Sequence, residues 1–150
     1  GLATGQNDVT SSVSPALSHY NSVVVEGDLW QRPGLSPRDR SIVTVTTLIA
    51  RQQMALMPQE FSRALENGVT PAELSEIVAH LAFYSGWGNA AAAAEALAPI
   101  YEAQGIDTES LPSAHVERLP LDMETERARE KTVQDNYAET AIVSLGSRDG

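Results

Sequence analysis

The four residues Thr70-Pro71-Ala72-Glu73 fix the start of a helix more firmly than any other stretch of the chain. Threonine at the cap, proline at the first helical position and glutamate three residues after the cap make a capping box. Its two side chains satisfy backbone donors that a helix start otherwise leaves orphaned. Ser36-Pro37-Arg38-Asp39 is a second start: serine caps, proline takes the first position, and an acid sits near the positive end of the helix dipole. Ser14-Pro15 is a third. A chain punctuated in this way reads as helices joined by short connections, an all-α fold.

The intervals agree with that reading. Leu17, Tyr20, Val23 or Val24, and Leu29 recur at helical spacing. The three consecutive valines are poor helix formers, but the run lacks the alternation of a strand. Pro33-Gly34 marks a turn. After Ser36, the residues Ile42, Val45, Leu48 and Ile49 form a buried stripe, and Val43 widens it, so this helix should be central. Pro58 opens the next helix and Gly68 stops it. The capping box starts one that runs to about Ser85, and an alanine-rich helix is expected from Asn89 to Gly105, with Pro99 as a point for a kink. From Ile106 the composition shifts to a proline-containing linker, after which Asp122 caps a charged helix with a thin apolar side. The organisation expected is a loose polar N-terminus at 1–13, one helical domain at 14–105, and a linker with a C-terminal helical arm at 106–150.

Composition removes several functions. The 150 residues are 42% hydrophobic, the range of a globular protein. A formal net charge of −10, with ten scattered Lys and Arg, argues against nucleic acid as a partner, because phosphate binding needs a basic footprint. The chain has no cysteine, so it supplies neither thiolate metal sites nor thiol nucleophiles. No apolar run approaches the roughly 20 residues of a membrane span. A cytoplasmic location is expected, with a removed leader left open by a first residue that is Gly1.

Two faces separate on the helix after Thr70. Leu74, Ile77, Val78, Leu81 and Tyr84 or Ser85 make the core side, while Glu76, His80, Phe83 and Trp87 share another. A carboxylate one turn from an imidazole can hold its tautomer, and two aromatics beside them resemble a pocket wall. His80 therefore has two readings, a packed hydrogen-bonded residue or a working one. Glu76 and His80 supply two metal ligands, but no motif completes a set, and no metal is expected. Arg38 and Arg40 lie in the first turn of their helix, against its dipole. Either ion pairs hold them there, or they form a fork for a substrate carboxylate.

The segments DLWQRPGLSPRDRSIVTVTTLIARQQ, FSRALENGVTPAEL and SEIVAHLAFYSGWGNAAAA together resemble the carboxymuconolactone decarboxylase family. The resemblance covers about residues 15–105. It implies the AhpD-like all-helical fold of about six helices, assembled into trimers or hexamers with pockets near subunit contacts. Peroxidases of that fold carry a Cys-x-x-Cys-x-x-x-His motif. Its cysteine positions fall on Gln53 and Leu56 and its histidine on Glu60, so a dithiol peroxidase cycle is excluded. The decarboxylase branch lacks the cysteines as well, but usually keeps the histidine that Glu60 replaces here. A glutamate can serve as acid or base when burial raises its pKa, but never as a cation.

The activity implied is removal of CO₂ from a small carboxylated lactone or related ring, as in aromatic catabolism, with no cofactor. His80 and Glu60 are the catalytic candidates, Arg38, Arg40, Trp30, Tyr84 and Trp87 the substrate-binding ones, and Glu76 a supporting one. The expected partners are a small-molecule substrate and other copies of the chain, a homotrimer or homohexamer, with neither nucleic acid nor membrane. Two alternatives stand beside this: a diverged isomerase or cyclase of a biosynthetic pathway, and a non-catalytic member that binds a small molecule or acts as an oligomeric scaffold.

Overall fold

A computed structural model describes residues 9–115 and 122–146, with side chains as far as residue 138. The described residues form helices and turns, with no strand among them. Helix α1 (Pro15–Tyr20) continues without a break into a π-helical turn at Asn21–Glu26, followed by a 3₁₀ turn at Leu29–Gln31. Then come α2 (Pro37–Ala50), α3 (Met57–Glu66), α4 (Pro71–Tyr84) and α5 (Trp87–Gln104), a 3₁₀ turn at Thr108–Ser110, and α6 (Met123–Gly146). Residues 9–13, expected to be loose, are helical, and Ser14 N donates to the Thr10 carbonyl at 2.8 Å. Residues 1–8, and 116–121 of the expected linker, lie outside the described residues.

Each start signal is made as the sequence implies. Ser36 Oγ accepts from Asp39 N at 3.0 Å, and Ser14 Oγ from Leu17 N at 3.4 Å. At Thr70 both halves of the capping box are present: Glu73 N donates to Thr70 Oγ1 at 3.1 Å and Thr70 N donates to Glu73 Oε2 at 2.8 Å. Asp122 Oδ1 accepts from Glu124 N and Thr125 N. Helix α5 begins two residues before the expected Asn89. Gly86, at φ 107°, makes the sharp turn out of α4 that no other residue type adopts readily. Asn89 instead ties the corner, donating to the Ala50 and Ser85 carbonyls.

The π turn has a local cause. Gly27 N donates to Ser22 O at 3.0 Å, a bond spanning five residues. A Cβ at Gly27 would stand 2.7 Å from the Val23 carbonyl oxygen, so the turn closes only on a glycine. The three valines before it are half-buried or exposed, and their stiff side chains disfavour a tight α turn.

The core lies among α2–α5. Val45, Leu48 and Ile49 of α2 meet Met57, Phe61 and Ala64 of α3, Leu74 and Leu81 of α4, and Ala93, Leu97 and Tyr101 of α5. Ile42 packs on its edge, whereas Val43 is 55% exposed. The helix after Ser36 is thus central, but its apolar arc is narrower than expected. Ala90 and Ala93 are buried, where small side chains let α5 approach α4 closely. Tyr101 reaches across, its hydroxyl donating to the Pro71 carbonyl at 3.1 Å. The chain divides into two compact units, one ending at Ala114 and the other beginning at His115. In the second, Met123, Val133 and Tyr137 of α6 are exposed.

Candidate functional site

Glu60 sits in the first turn of α3, next to the buried core residue Phe61. Its side chain is only 11% exposed. Gln59 Nε2 donates to Oε1 at 3.4 Å, while the buried Oε2 has no hydrogen-bond partner. Arg63, one turn later, brings Nε to 3.8 Å from that oxygen, within ion-pair reach but too long for a hydrogen bond. Burial pushes the Glu60 carboxyl above its ordinary range. The Arg63 cation pulls against this, and the Glu26 carboxylate adds to it. Burial outweighs the Arg63 cation, so the proton is held more tightly than on an ordinary glutamate.

Arg63 connects Glu60 to the N-terminal segment. Its Nη2 donates to Glu26 Oε1 at 2.7 Å, and its guanidinium carbon stands 4.4 Å from the centre of the Trp30 ring. Glu26 is the last residue of the π turn and Trp30 lies in the 3₁₀ turn after it. A second anchor fixes the same segment: Arg40 Nη2 donates to the Arg32 carbonyl at 3.0 Å. Arg40 Nε is buried without a partner. Residues 26–32 therefore form a strap held on α2 and α3 by two guanidinium groups.

Trp30 and Glu60, two of the residues expected at the site, are brought together, with Arg63 between them. Arg38 is engaged elsewhere. It pairs with Glu73 and lies 3.9 Å from Asp39. Glu73 thereby closes the capping box and answers the arginine that opposes the α2 dipole. Its carboxyl is held below the ordinary range, first by the Thr70 backbone N–H and then by Arg38. Arg38, Glu73, Glu76 and Ile77 border an open groove of about 410 Å³ that Pro112 helps to line.

The second candidate face points away from the core. Phe83, Tyr84 and Trp87 are 84%, 80% and 73% exposed, and His80 and Glu76 are exposed with them. Of the two core-side options, Tyr84 is outside and Ser85 is half-buried. No hydrogen bond or ion pair joins Glu76 to His80. The imidazole stacks on Tyr84 instead, and Phe83 meets Trp87 edge to face. Within the chain no contact of the described residues links His80 to Glu60. Among those residues no three of His, Asp and Glu gather as a metal set, and no helix is long and apolar enough to cross a membrane.

The family model described as the carboxymuconolactone decarboxylase family matches residues 15–99. The chain belongs to this family. It is 32% identical over 85 residues to the 4-carboxymuconolactone decarboxylase of Acinetobacter baylyi, covering 57% of this chain and 63% of that protein. It is 38% identical over 60 residues to the nitrosuccinic acid decarboxylase of Metarhizium robertsii, covering 40% of this chain and 42% of that one. The chain thus spans less than two thirds of the length of each of these relatives.

The family match takes in the strap, α2, α3, α4 and most of α5, so Glu60 and its neighbours lie inside it. Two members of this cluster, Glu26 and Arg63, were missed as site residues by sequence reasoning. The i, i+3 spacing of Glu60 and Arg63 was a signal for one of them. Glu26 pairs with a residue 37 positions away, and no local pattern announces that.

Proposed function

We propose that the chain is a decarboxylase-like carbon–carbon lyase, acting on a small carboxylic acid without a bound cofactor, with Glu60 as its acid. The observation that carries this reading is the buried Glu60 carboxyl, one oxygen without a hydrogen bond, beside the Arg63 cation that lies over the Trp30 ring. Loss of CO₂ breaks the bond to the carboxylate carbon and leaves an electron pair on the substrate. That pair must move onto an acceptor oxygen, such as a lactone carbonyl or a nitro group. The names of the two relatives offer one of each. A cation near the developing oxyanion stabilises it, and a neutral carboxylic acid then delivers a proton to carbon. Glu60 is left as a carboxylate and recovers its proton from solvent. One proton is consumed for each CO₂ released.

In this reading His80 with Tyr84, Trp87 and Glu76 is a second wall of the site, met across a contact between copies in a homotrimer or homohexamer. Two features support it. The catalytic candidates do not meet within one chain, and the aromatic face is open. The binding-only alternative draws on a different observation: Arg63 is already paired with Glu26 and already near Glu60, an arrangement that a purely structural ion pair would also produce.

The experiment is CO₂ release from 4-carboxymuconolactone and from nitrosuccinic acid, comparing wild type with Glu60→Ala and His80→Ala. Turnover of either acid that falls roughly 10²–10⁴-fold in Glu60→Ala supports the reading, since that is the contribution of a positioned acid. No turnover of either acid by wild type rejects it and leaves the binding role.

A further inference from the structure

Of three arginines that could grip a substrate carboxylate, two are engaged away from Glu60, and the third, Arg63, is itself paired with Glu26. Arg38 answers Glu73 and the α4 cap, and Arg40 answers the Arg32 carbonyl. Arg63 alone of the three touches Glu60. We infer that Arg63 is the carboxylate grip of the Glu60 site, that Trp30 is the plate that fixes its plane, and that Glu26 is an internal carboxylate occupying the place of the ligand's own. The inference rests on the decarboxylase reading of Glu60 and names its ligand class, a small carboxylic acid bound as the anion.

The guanidinium is planar and presents its donors in a fixed fork, so a ring lying against it restricts where those donors point. With Trp30 at 4.4 Å, Nη2 donates to Glu26 while Nε lies 3.8 Å from Glu60. A carboxylate taken from Glu26 to a ligand would therefore lie within a few ångströms of the Glu60 acid, where the proton is needed. The exchange is physically cheap. Glu26 is 39% exposed and ends a π turn, so it can swing to water without disturbing the core. One anion replaces another on the same cation, so no unpaired charge is buried. The cost is competition: a site occupied by its own carboxylate shows an apparent affinity lowered by that occupancy.

The test is calorimetric titration of succinate, a dicarboxylate with no acceptor group and so not decarboxylated by this route. It is titrated into wild type, Glu26→Gln, Arg63→Lys and Arg63→Gln. CO₂ release from 4-carboxymuconolactone and nitrosuccinic acid is measured in parallel. Glu26→Gln is expected to bind roughly threefold tighter or more, through loss of the competitor. Arg63→Gln is expected to bind roughly tenfold weaker or more, with Arg63→Lys between, and KM should follow this order while kcat moves less. Helicity by circular dichroism identifies a misfolded Arg63→Gln, in which case Glu26→Gln and Arg63→Lys decide. Equal binding in wild type and Glu26→Gln, or in wild type and folded Arg63 variants, or no binding by any of them, overturns the inference. CO₂ release insensitive to Arg63 removes Arg63 and leaves the lyase reading standing. Arg63-dependent binding without CO₂ release from either acid does the reverse.

Discussion

The imidazole of His80 lies flat on the ring of Tyr84, centroids 4.6 Å apart and planes 12° apart. The two residues are one helical turn apart on α4, and both face outward. Because neither supports the core, His80→Ala and Tyr84→Ala should each change the unfolding free energy by no more than about 0.5 kcal/mol. If the face works in catalysis, both should lower CO₂ release while the thermal midpoint stays put. Calorimetric melting and turnover on the same samples separate these effects.

Phe83 is 84% exposed beside Trp87 at the end of α4. A charge at its position should not harm the fold of one chain but should oppose a contact that covers the face. Phe83→Glu is expected to keep the helical circular dichroism of wild type and to lower the mass seen by light scattering. An unchanged mass would place any contact between copies elsewhere.

Glu60 should trade stability for function. Its folded-state pKa is raised, so the folded protein binds the proton more tightly than the unfolded chain does. Its contribution is therefore most favourable in acid and is lost as pH rises through the ordinary glutamate range towards the raised value. Glu60→Gln cannot ionise and escapes that loss. It is expected to melt higher than wild type at neutral pH, with the gap closing in acid, while decarboxylation falls roughly 10²–10⁴-fold. Melting curves at two pH values and one turnover assay test both halves.

The same carboxyl sets a pH limb. If Glu60 is the acid of the proposed reaction it must be protonated, so turnover should fall as pH rises through its pKa. Arg63 pulls that pKa down and Glu26 pushes it up. Arg63→Gln should thus move the falling limb to higher pH, and Glu26→Gln to lower pH. Profiles of kcat/KM against pH, read for the position of the limb rather than its height, would reveal opposite displacements.

Gln52 occupies the left-handed region at φ 52°, one residue past the Arg51 cap of α2. Gln53 N donates to Leu48 O and Gln52 N to Ile49 O, the bonds of a helix end that glycine usually closes. Gln52→Gly relieves the steric penalty but loosens the unfolded chain, so a net gain of a few tenths to about 1 kcal/mol is expected. Denaturant midpoints measure it directly.

What the sequence made legible is local. Thr70 with Glu73, and Ser36 with Asp39, act within one helical turn, so their bonds were readable from spacing. The stripe from Ile42 to Ile49 placed α2 in the core for the same reason. The start of α5 was read two residues late because a Gly86 corner without a side-chain cap leaves little composition signal. On α4, periodicity grouped His80 with Phe83 and Trp87, but it could not say that the whole group stays open to solvent. Arg63 was missed as a site residue because its partners Glu26 and Trp30 come from a different element, and only the folded chain sets their distance.

The five-residue bond at Gly27 amounts to one surplus residue wound into an otherwise α-helical path. Each residue of an α-helix turns the chain by about 100°. Had the chain a single valine fewer at positions 23–25, Ser22 and Gly27 would close as an ordinary turn, and everything after it would be rotated by that angle. Glu26 and Trp30 would then leave the sector that looks onto α3. The phase of the strap, and with it the choice of which side chains greet Arg63, hangs on an odd residue count together with the bare Gly27 that lets the turn close.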